Sequence, residues 1–136
     1  ARRWVTDHGL AGHVRFLGYR KDVVRVIQCL DVQVFPSHQE GTPNTLYEAM
    51  AVGRAVVAST ADGQGEILED GRTALLFAPG DDEAMARLIL RVLTDDALRL
   101  RLQRNVTERI RDFDMKRTIE TMERTYEALA GTRPDR

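Results

Sequence analysis

Two glutamates, Glu40 and Glu48, stand eight residues apart around a segment whose residue types could bind a phosphorylated ligand. Between them, Thr42 is a good helix N-cap, and Pro43 suits the first helical position because its missing N–H group costs nothing there. The sequence therefore predicts a helix start between two carboxylates, which accept hydrogen bonds from sugar hydroxyl groups. A ligand with hydroxyl groups on both sides of a diphosphate would suit this arrangement.

The predicted helix has free backbone N–H groups at Asn44 and Thr45. Together with the positive end of the helix dipole, these groups form a site for a phosphate, and Gly41 lets the backbone approach a ligand closely. At about 100° per residue, Glu48 falls on the side opposite the apolar stripe that begins with Leu46. We therefore expect Glu48 to face away from the sheet on which the helix packs.

Short apolar runs alternate with helical patterns in the first part of the chain. Four runs have strand length and no polar alternation, which is typical of a parallel sheet covered on both faces. They are residues 14–17, 32–35, 55–59 and 74–77. Helices are predicted between them at residues 22–29, 43–53 and 65–69. The class is therefore α/β, and Glu40 follows the carboxyl end of a strand, where ligands bind in open parallel sheets.

Three further helices are predicted towards the end of the chain, where apolar residues follow helical spacing. The first two each begin at a pair of aspartates that can act as N-cap, Asp81 or Asp82 and then Asp95 or Asp96. The third covers about residues 114–129. This helical segment, residues 82–130, is assigned to the same domain as the sheet, residues 1–136. Its arginines alternate with acids and are interpreted as a solvated helix face; they are Arg99, Arg101, Arg104, Arg109 and Arg111.

Composition excludes several classes of protein. With 136 residues the chain can form one domain with a core, and a net charge of −1 gives no global field that would recruit nucleic acid. No apolar run approaches the roughly 20 residues of a membrane-spanning helix. The single cysteine, Cys29, excludes an internal disulfide. We expect a cytoplasmic protein, at most peripheral to a membrane, and find no His, Cys and Asp cluster with metal-ligand spacing.

An ordered series of segments resembles the GT-B retaining glycosyltransferases of family four, also called group 1. Residues 40–48 match the family's E-x7-E motif. The other matching segments are the V-R-F-L-G-Y of residues 14–19, the strand at 31–37, the A-V-G-R-A-V-V-A-S of 51–59, the E-I-L-E-D-G of 66–71 and residues 75–81. Because these segments follow one another in the family's order, over about residues 10–95, the resemblance is specific.

The resemblance implies a Rossmann-like domain that binds a nucleotide-diphosphate sugar and transfers the sugar with retention, without a bound metal or other cofactor. Glu40 would contact the transferred sugar near the reacting centre, and Glu48 would bind the ribose hydroxyl groups. The backbone of residues 41–46 would hold the diphosphate. Tyr19 and Arg20 lie where the family places the base.

Some of the family's parts are not found in this sequence. The first two strands of the domain, a basic pair that neutralises the diphosphate, and the N-terminal acceptor domain are missing, so we expect a piece of a longer chain that is inactive alone. Asp62 stands where the first glycine of a Gly-Gly pair is common, so the resemblance does not define the sugar. The strand at 14–17 should then pair directly with the strand at 32–35, or join two chains in a homo-oligomer along an exposed sheet edge.

Two alternatives stay open. The chain could be a non-catalytic nucleotide-binding or interaction module that retains the fold. It could also be another doubly wound α/β protein of the response-regulator type, which would require an acidic phosphoacceptor cluster at a strand end. We find no such cluster in the sequence.

Overall fold

Residues 1–38, 44–61, 63–113, 119 and 122–127 are described by a computed structural model of the chain. Five residues singled out from the sequence lie outside these described residues. They are Glu40, Gly41, Thr42, Pro43 and Asp62.

Strands and helices alternate along the described chain, which confirms the α/β class. The strands are β1 (Val32–Phe35), β2 (Ala55–Ser59) and β3 (Leu75–Phe77). The α-helices are α1 (Arg2–Asp7), α2 (Val23–Gln28), α3 (Asn44–Ala51), α4 (Gln64–Ile67), α5 (Asp82–Thr94) and α6 (Asp96–Arg109). A short 3-10 helix, Ile110–Phe113, follows α6. Each predicted helix between the strands is present, and its described ends fall within two residues of the prediction.

The three strands form one parallel sheet in the order β1-β2-β3. Val32 pairs with Ala55 in the first ladder, and Val57 pairs with Leu75 in the second. All five residues of β2 are buried, because this central strand has helices on both faces. The continuous apolar run, without polar alternation, is therefore explained by two-sided burial.

The prediction of a fourth strand at residues 14–17 is wrong. This segment is neither strand nor helix, and Val14, Phe16 and Leu17 are between 38% and 53% exposed. A strand exists only through hydrogen bonds to a neighbour, and among the described residues β1 pairs with β2 alone. The expected pairing of this segment with β1 is therefore wrong as well. Pairing between two chains stays a prediction.

Two apolar clusters cover opposite faces of the sheet. Successive residues of β2 point to opposite faces, so Val56 joins the cluster that contains α3 and α4, whereas Val57 joins the cluster that contains α5. Helix α6 contributes to both clusters: Leu98 and Leu102 pack with the second, and Val106 packs with the first. This helix therefore connects the packing of the two faces.

The two long helices begin where the sequence predicts. Asp81 accepts a hydrogen bond from the backbone N–H of Ala84 at 2.8 Å, and Asp95 accepts one from Leu98 at 2.9 Å. Each aspartate satisfies one of the free N–H groups in the first turn of its helix. Towards the end of the chain, residues 119 and 122–127 are helical and exposed, within the last predicted helix. No helix in the described part of the chain is both long and apolar enough to cross a membrane.

Candidate functional site

The start of α3 is exposed in the part of the chain that the structure describes. Asn44 and Thr45, its first two residues, are exposed, whereas the stripe that the sequence predicts to face the sheet is buried. That stripe consists of Leu46, Ala49 and Met50, each 0% exposed. Because no acidic side chain occupies the first turn of α3, its N–H groups and positive dipole end are not offset there by a carboxylate of the helix.

Glu48 lies one turn after Asn44, on the side of α3 that faces away from the sheet, as predicted. Glu48 is half-buried, so it retains contact with solvent. Leu46, which was predicted to take part in diphosphate binding through its backbone, has a fully buried side chain. Only the backbone of Leu46 is therefore available for such a contact.

The carboxyl ends of β1 and β2 are joined by a side chain. The hydroxyl group of Ser59, the last residue of β2, donates a 2.6 Å hydrogen bond to the carbonyl oxygen of Ser37. His38 lies beside the turn that follows β3, where its Cε1 atom would be 3.6 Å from a Cβ added at Gly80. The loops after all three strands therefore meet at one edge of the sheet, and α3 begins in the first of them.

Tyr19 and Arg20, which the resemblance places near the nucleotide base, lie before α2. Tyr19 is 91% exposed. Arg20 uses Nε and Nη2 to hold both carboxylate oxygens of Asp22, at 2.8 Å and 2.6 Å. The hydrogen bond from Arg20 lowers the pKa of the Asp22 carboxyl group and raises the pKa of Arg20. Within the described part of the chain, neither Tyr19 nor Arg20 forms a hydrogen bond with α3.

The connection between β2 and β3 adds features that the sequence did not predict. Gln64, the first residue of α4, is 0% exposed, and neither its amide nitrogen nor its amide oxygen has a hydrogen-bond partner in the described structure. The interpretation of the arginine run as a solvated helix face is wrong for Arg99 and Arg109, whose side chains are largely buried. Arg101 and Arg109 donate hydrogen bonds to backbone carbonyl groups of this connection. Arg101, Asn105 and Arg109 follow one another at intervals of four residues, which places them on the same side of the helix. This spacing is the one sequence signal that could have indicated a shared role.

Helix α6 borders a larger and a smaller cleft. The larger, about 630 Å³, includes Gly53, which comes after α3 and before β2 and so lies at the amino edge of the sheet. The smaller, about 270 Å³, lies where α6 meets the connection between β2 and β3 and is lined mostly by charged and polar side chains. The start of α3 lies at the carboxyl edge of the sheet. The larger cleft and the start of α3 are therefore at opposite edges. In the described part of the chain, no three His, Cys, Asp or Glu side chains are grouped so that they could hold a metal ion.

The parallel sheet with helices on both faces and an exposed helix start at its carboxyl edge defines a Rossmann-like domain. The profile of the glycosyl transferases group 1 family matches residues 1–95. The chain belongs to this family.

Curated relatives from bacteria are similar over most of the chain. The lipopolysaccharide core biosynthesis glycosyltransferase LpsE of Rhizobium meliloti is 36% identical over 97 residues, which is 71% of this chain and 28% of the relative. The phosphatidyl-myo-inositol mannosyltransferase of Mycolicibacterium smegmatis is 34% identical over 125 residues, which is 90% of this chain and 32% of the relative. The chain thus spans about a third of the length of the relatives it matches.

Solved structures of GT-B glycosyltransferases have the same fold. Sucrose-phosphate synthase from Thermosynechococcus elongatus superposes with a TM-score of 0.86 at 30% identity, over 97% of this chain and 34% of that one. HepE of Anabaena in complex with UDP superposes with a TM-score of 0.88 at 26% identity, over 93% of this chain and 35% of that one. HepE has also been crystallised with UDP-glucose, and that structure superposes with a TM-score of 0.87.

Proposed function

We propose that this chain is the donor-binding part of a glycosyltransferase that transfers a sugar from a nucleotide-diphosphate sugar to an acceptor with retention of configuration. The observation that carries the proposal is the exposed start of α3 at the carboxyl edge of the sheet, with Glu48 one turn further on the side that faces away from the core. A ligand at this edge would meet backbone N–H donors first and a carboxylate next.

The diphosphate is assigned to the start of α3. The free N–H groups of the first turn point out of the helix, and the dipole adds about half a positive charge at this end. We assign diphosphate binding also to the backbone of residues 41–43, because these residues immediately precede α3 in the sequence. An anion at such a position requires no metal to bind, and we propose that the donor binds without one.

The two glutamates are assigned to the two sugars of the donor. Glu48 is proposed to accept hydrogen bonds from the ribose hydroxyl groups, because a carboxylate accepts two such bonds at once and discriminates against donors without hydroxyl groups. Glu40, eight residues earlier, is proposed to contact the transferred sugar near the reacting centre. Tyr19 and Arg20 are proposed to contact the nucleotide base.

The rest of the enzyme is proposed to lie outside this chain. Transfer requires positive charge that stabilises the leaving diphosphate, and it requires a surface that holds the acceptor. We propose that a basic pair and an N-terminal acceptor domain in a longer protein supply these two functions, so that the chain alone binds a donor but does not transfer its sugar.

Calorimetric titration tests the donor site. The chain is titrated with UDP-glucose, GDP-mannose, UDP and GDP, in the presence of EDTA and again with Mg²⁺. We expect saturable binding of one nucleotide class, with the same dissociation constant in both buffers. The Glu48→Ala variant should bind about tenfold to a hundredfold more weakly, because hydrogen bonds to a charged group contribute about 1.5–3 kcal/mol each.

The matched control is Glu108→Ala, which removes an exposed glutamate from α6 that borders both clefts. It should leave the dissociation constant unchanged. Absence of binding at millimolar concentrations of all four ligands, by this chain and by the longer protein that contains it, would overturn the proposal. Binding by a longer protein that neither transfers nor hydrolyses the sugar would favour the alternative, a nucleotide-binding module without catalysis.

A further inference from the structure

The connection from β2 to β3 begins at the same edge of the sheet as the proposed donor site. Its first part follows Ser59, whose hydroxyl group is bonded to the loop that leads to α3. Helix α4 comes next and places Ile67 in the same apolar cluster as the buried face of α3. The start of α4, at Gly63 and Gln64, therefore lies on the α3 side of the carboxyl edge.

Helix α4 is poorly stabilised by its own residues. It has only four residues, less than a helix needs to be stable by itself, and no side chain caps its amino end. The side chain of Gln64 does not stabilise the helix by a hydrogen bond, because its buried amide group has no partner among the described residues. Other parts of the molecule must therefore hold this turn of helix in place.

Three side chains of α6 hold the connection between β2 and β3, and one of them, Arg109, bonds to α4 itself. They stand four residues apart, so they lie along one side of the helix, and each donates hydrogen bonds to backbone carbonyl oxygens of the connection. The bonds are Arg101 Nη1 to Gly71 O at 2.9 Å, Asn105 Nδ2 to Arg72 O at 2.9 Å, Arg109 Nε to Ile67 O at 3.1 Å and Arg109 Nη2 to Glu66 O at 3.3 Å.

Arg109 has the most extensive contacts of the three. Two of its guanidinium nitrogens hold the last turn of α4, and the third, Nη1, is bonded to Asp112 at 2.9 Å. Its guanidinium carbon lies 4.8 Å from the centre of the Phe113 ring, in a cation–π contact. The planar fork is thus fixed on several sides, which a flexible lysine ammonium group could not reproduce.

We propose that Arg109 is a positioning residue for the donor: by fixing the end of α4 it places Gly63, the residue at the start of this helix, against the bound nucleotide sugar. This inference rests on the proposed donor site. Because α4 is a single turn, a shift at its end is transmitted to its start over four residues. A displacement of about 1 Å in a ligand-binding segment is sufficient to weaken its contacts severely.

Two variants with a matched control test the proposal. Arg109→Lys retains the charge but loses the planar guanidinium group, and Arg104→Lys makes the same change at an exposed residue of α6 that forms no side-chain hydrogen bond or ion pair with the described residues. Asn105→Ala removes one neutral hydrogen bond between α6 and the connection, and it is the second test variant if Arg109→Lys does not fold. The readouts are the dissociation constant of UDP-glucose, the urea midpoint and hydrogen exchange of the Leu68 amide, which is bonded to Gln64 O at 2.9 Å.

We expect Arg109→Lys to raise the dissociation constant about tenfold and to accelerate exchange at Leu68, while Arg104→Lys changes neither. Asn105→Ala should act in the same direction with a smaller effect.

A purely structural role for Arg109 would lower the urea midpoint and leave the affinity of the folded protein at the wild-type value, and that result would overturn the inference. If the wild-type chain binds no UDP-glucose while another nucleotide sugar binds, that sugar replaces it as the probe. If none binds, the proposed function fails first, and this inference fails with it.

Discussion

Ser59 donates its hydroxyl hydrogen to the carbonyl oxygen of Ser37 across 2.6 Å, and this bond connects the ends of two neighbouring parallel strands. The side chain of Ser59 is 0% exposed, so its hydroxyl group has no contact with bulk water in the folded chain. The ladder between β1 and β2 ends with the pair of Phe35 and Ala58, so the bond lies one residue beyond the ladder on β2 and two residues beyond it on β1. It therefore extends the fixed part of the sheet into the loop that leads to α3.

Replacement of Ser59 by alanine should lower the free energy of unfolding by about 1 kcal/mol, the net value of a typical buried hydrogen bond. Urea denaturation of the two proteins measures the difference. Thr60→Ala is the control, because Thr60 is exposed and its backbone N–H, which the substitution retains, donates to Phe77 O at 2.8 Å. Equal stability of Ser59→Ala and the wild type would show that the bond contributes nothing to folding.

The elements that could be predicted from the sequence are those whose burial follows a local pattern. The apolar stripe of α3 and the continuous apolar run of β2 identify helix and strand, because burial on one side or on both is already visible in the residue types. The exposed tip of α3 followed from the same reasoning. The orientation of Glu48, away from the sheet, was predicted because it depends only on helical geometry.

Features that depend on distant partners could not be predicted in this way. Residues 14–17 have the pattern of a strand, but a strand also needs a neighbour, and the described chain has none beside them. Arg109 looked like one more solvated arginine because its partner, the carbonyl group of Ile67, lies 42 residues earlier. The unpartnered amide of Gln64 likewise depends on packing that no local pattern records.

Gly53 should tolerate no side chain. Its φ angle is +68°, and a Cβ added there would lie 2.8 Å from Oγ1 of Thr107. We expect Gly53→Ala to lower the free energy of unfolding by about 1–3 kcal/mol through backbone strain and crowding. Adding Thr107→Ala should recover only the crowding part of this loss. Gly65→Ala, with no atom within 4 Å of the added Cβ, is the control and should not destabilise; a similar loss in both glycine variants would contradict the explanation.

Leu102 should be among the most sensitive positions of α6, because it is 0% exposed in the cluster that covers the second face of the sheet. Truncation of a buried leucine to alanine leaves a cavity and costs about 2–5 kcal/mol. Thermal and urea unfolding of Leu102→Ala should show a loss in this range. Leu100→Ala provides a matched comparison on the same helix, since Leu100 is 56% exposed. If both variants lost equal stability, α6 would not be packed on the sheet in this orientation.

The ion pair between Arg20 and Asp22 predicts a pH effect with a defined sign. Because the hydrogen bond from Arg20 lowers the pKa of the Asp22 carboxyl group in the folded chain, its contribution to stability is present above the ordinary aspartate pKa and is lost as the pH falls through the lowered one. Arg20→Gln should therefore raise the pKa of Asp22, as followed by NMR titration of its side-chain carbonyl carbon. Arg25→Gln, at an exposed arginine on α2, should leave it unchanged. An Asp22 pKa that is the same in the wild type and in Arg20→Gln would mean that the two side chains do not pair in solution, and Arg20 would then be free to contact the nucleotide base.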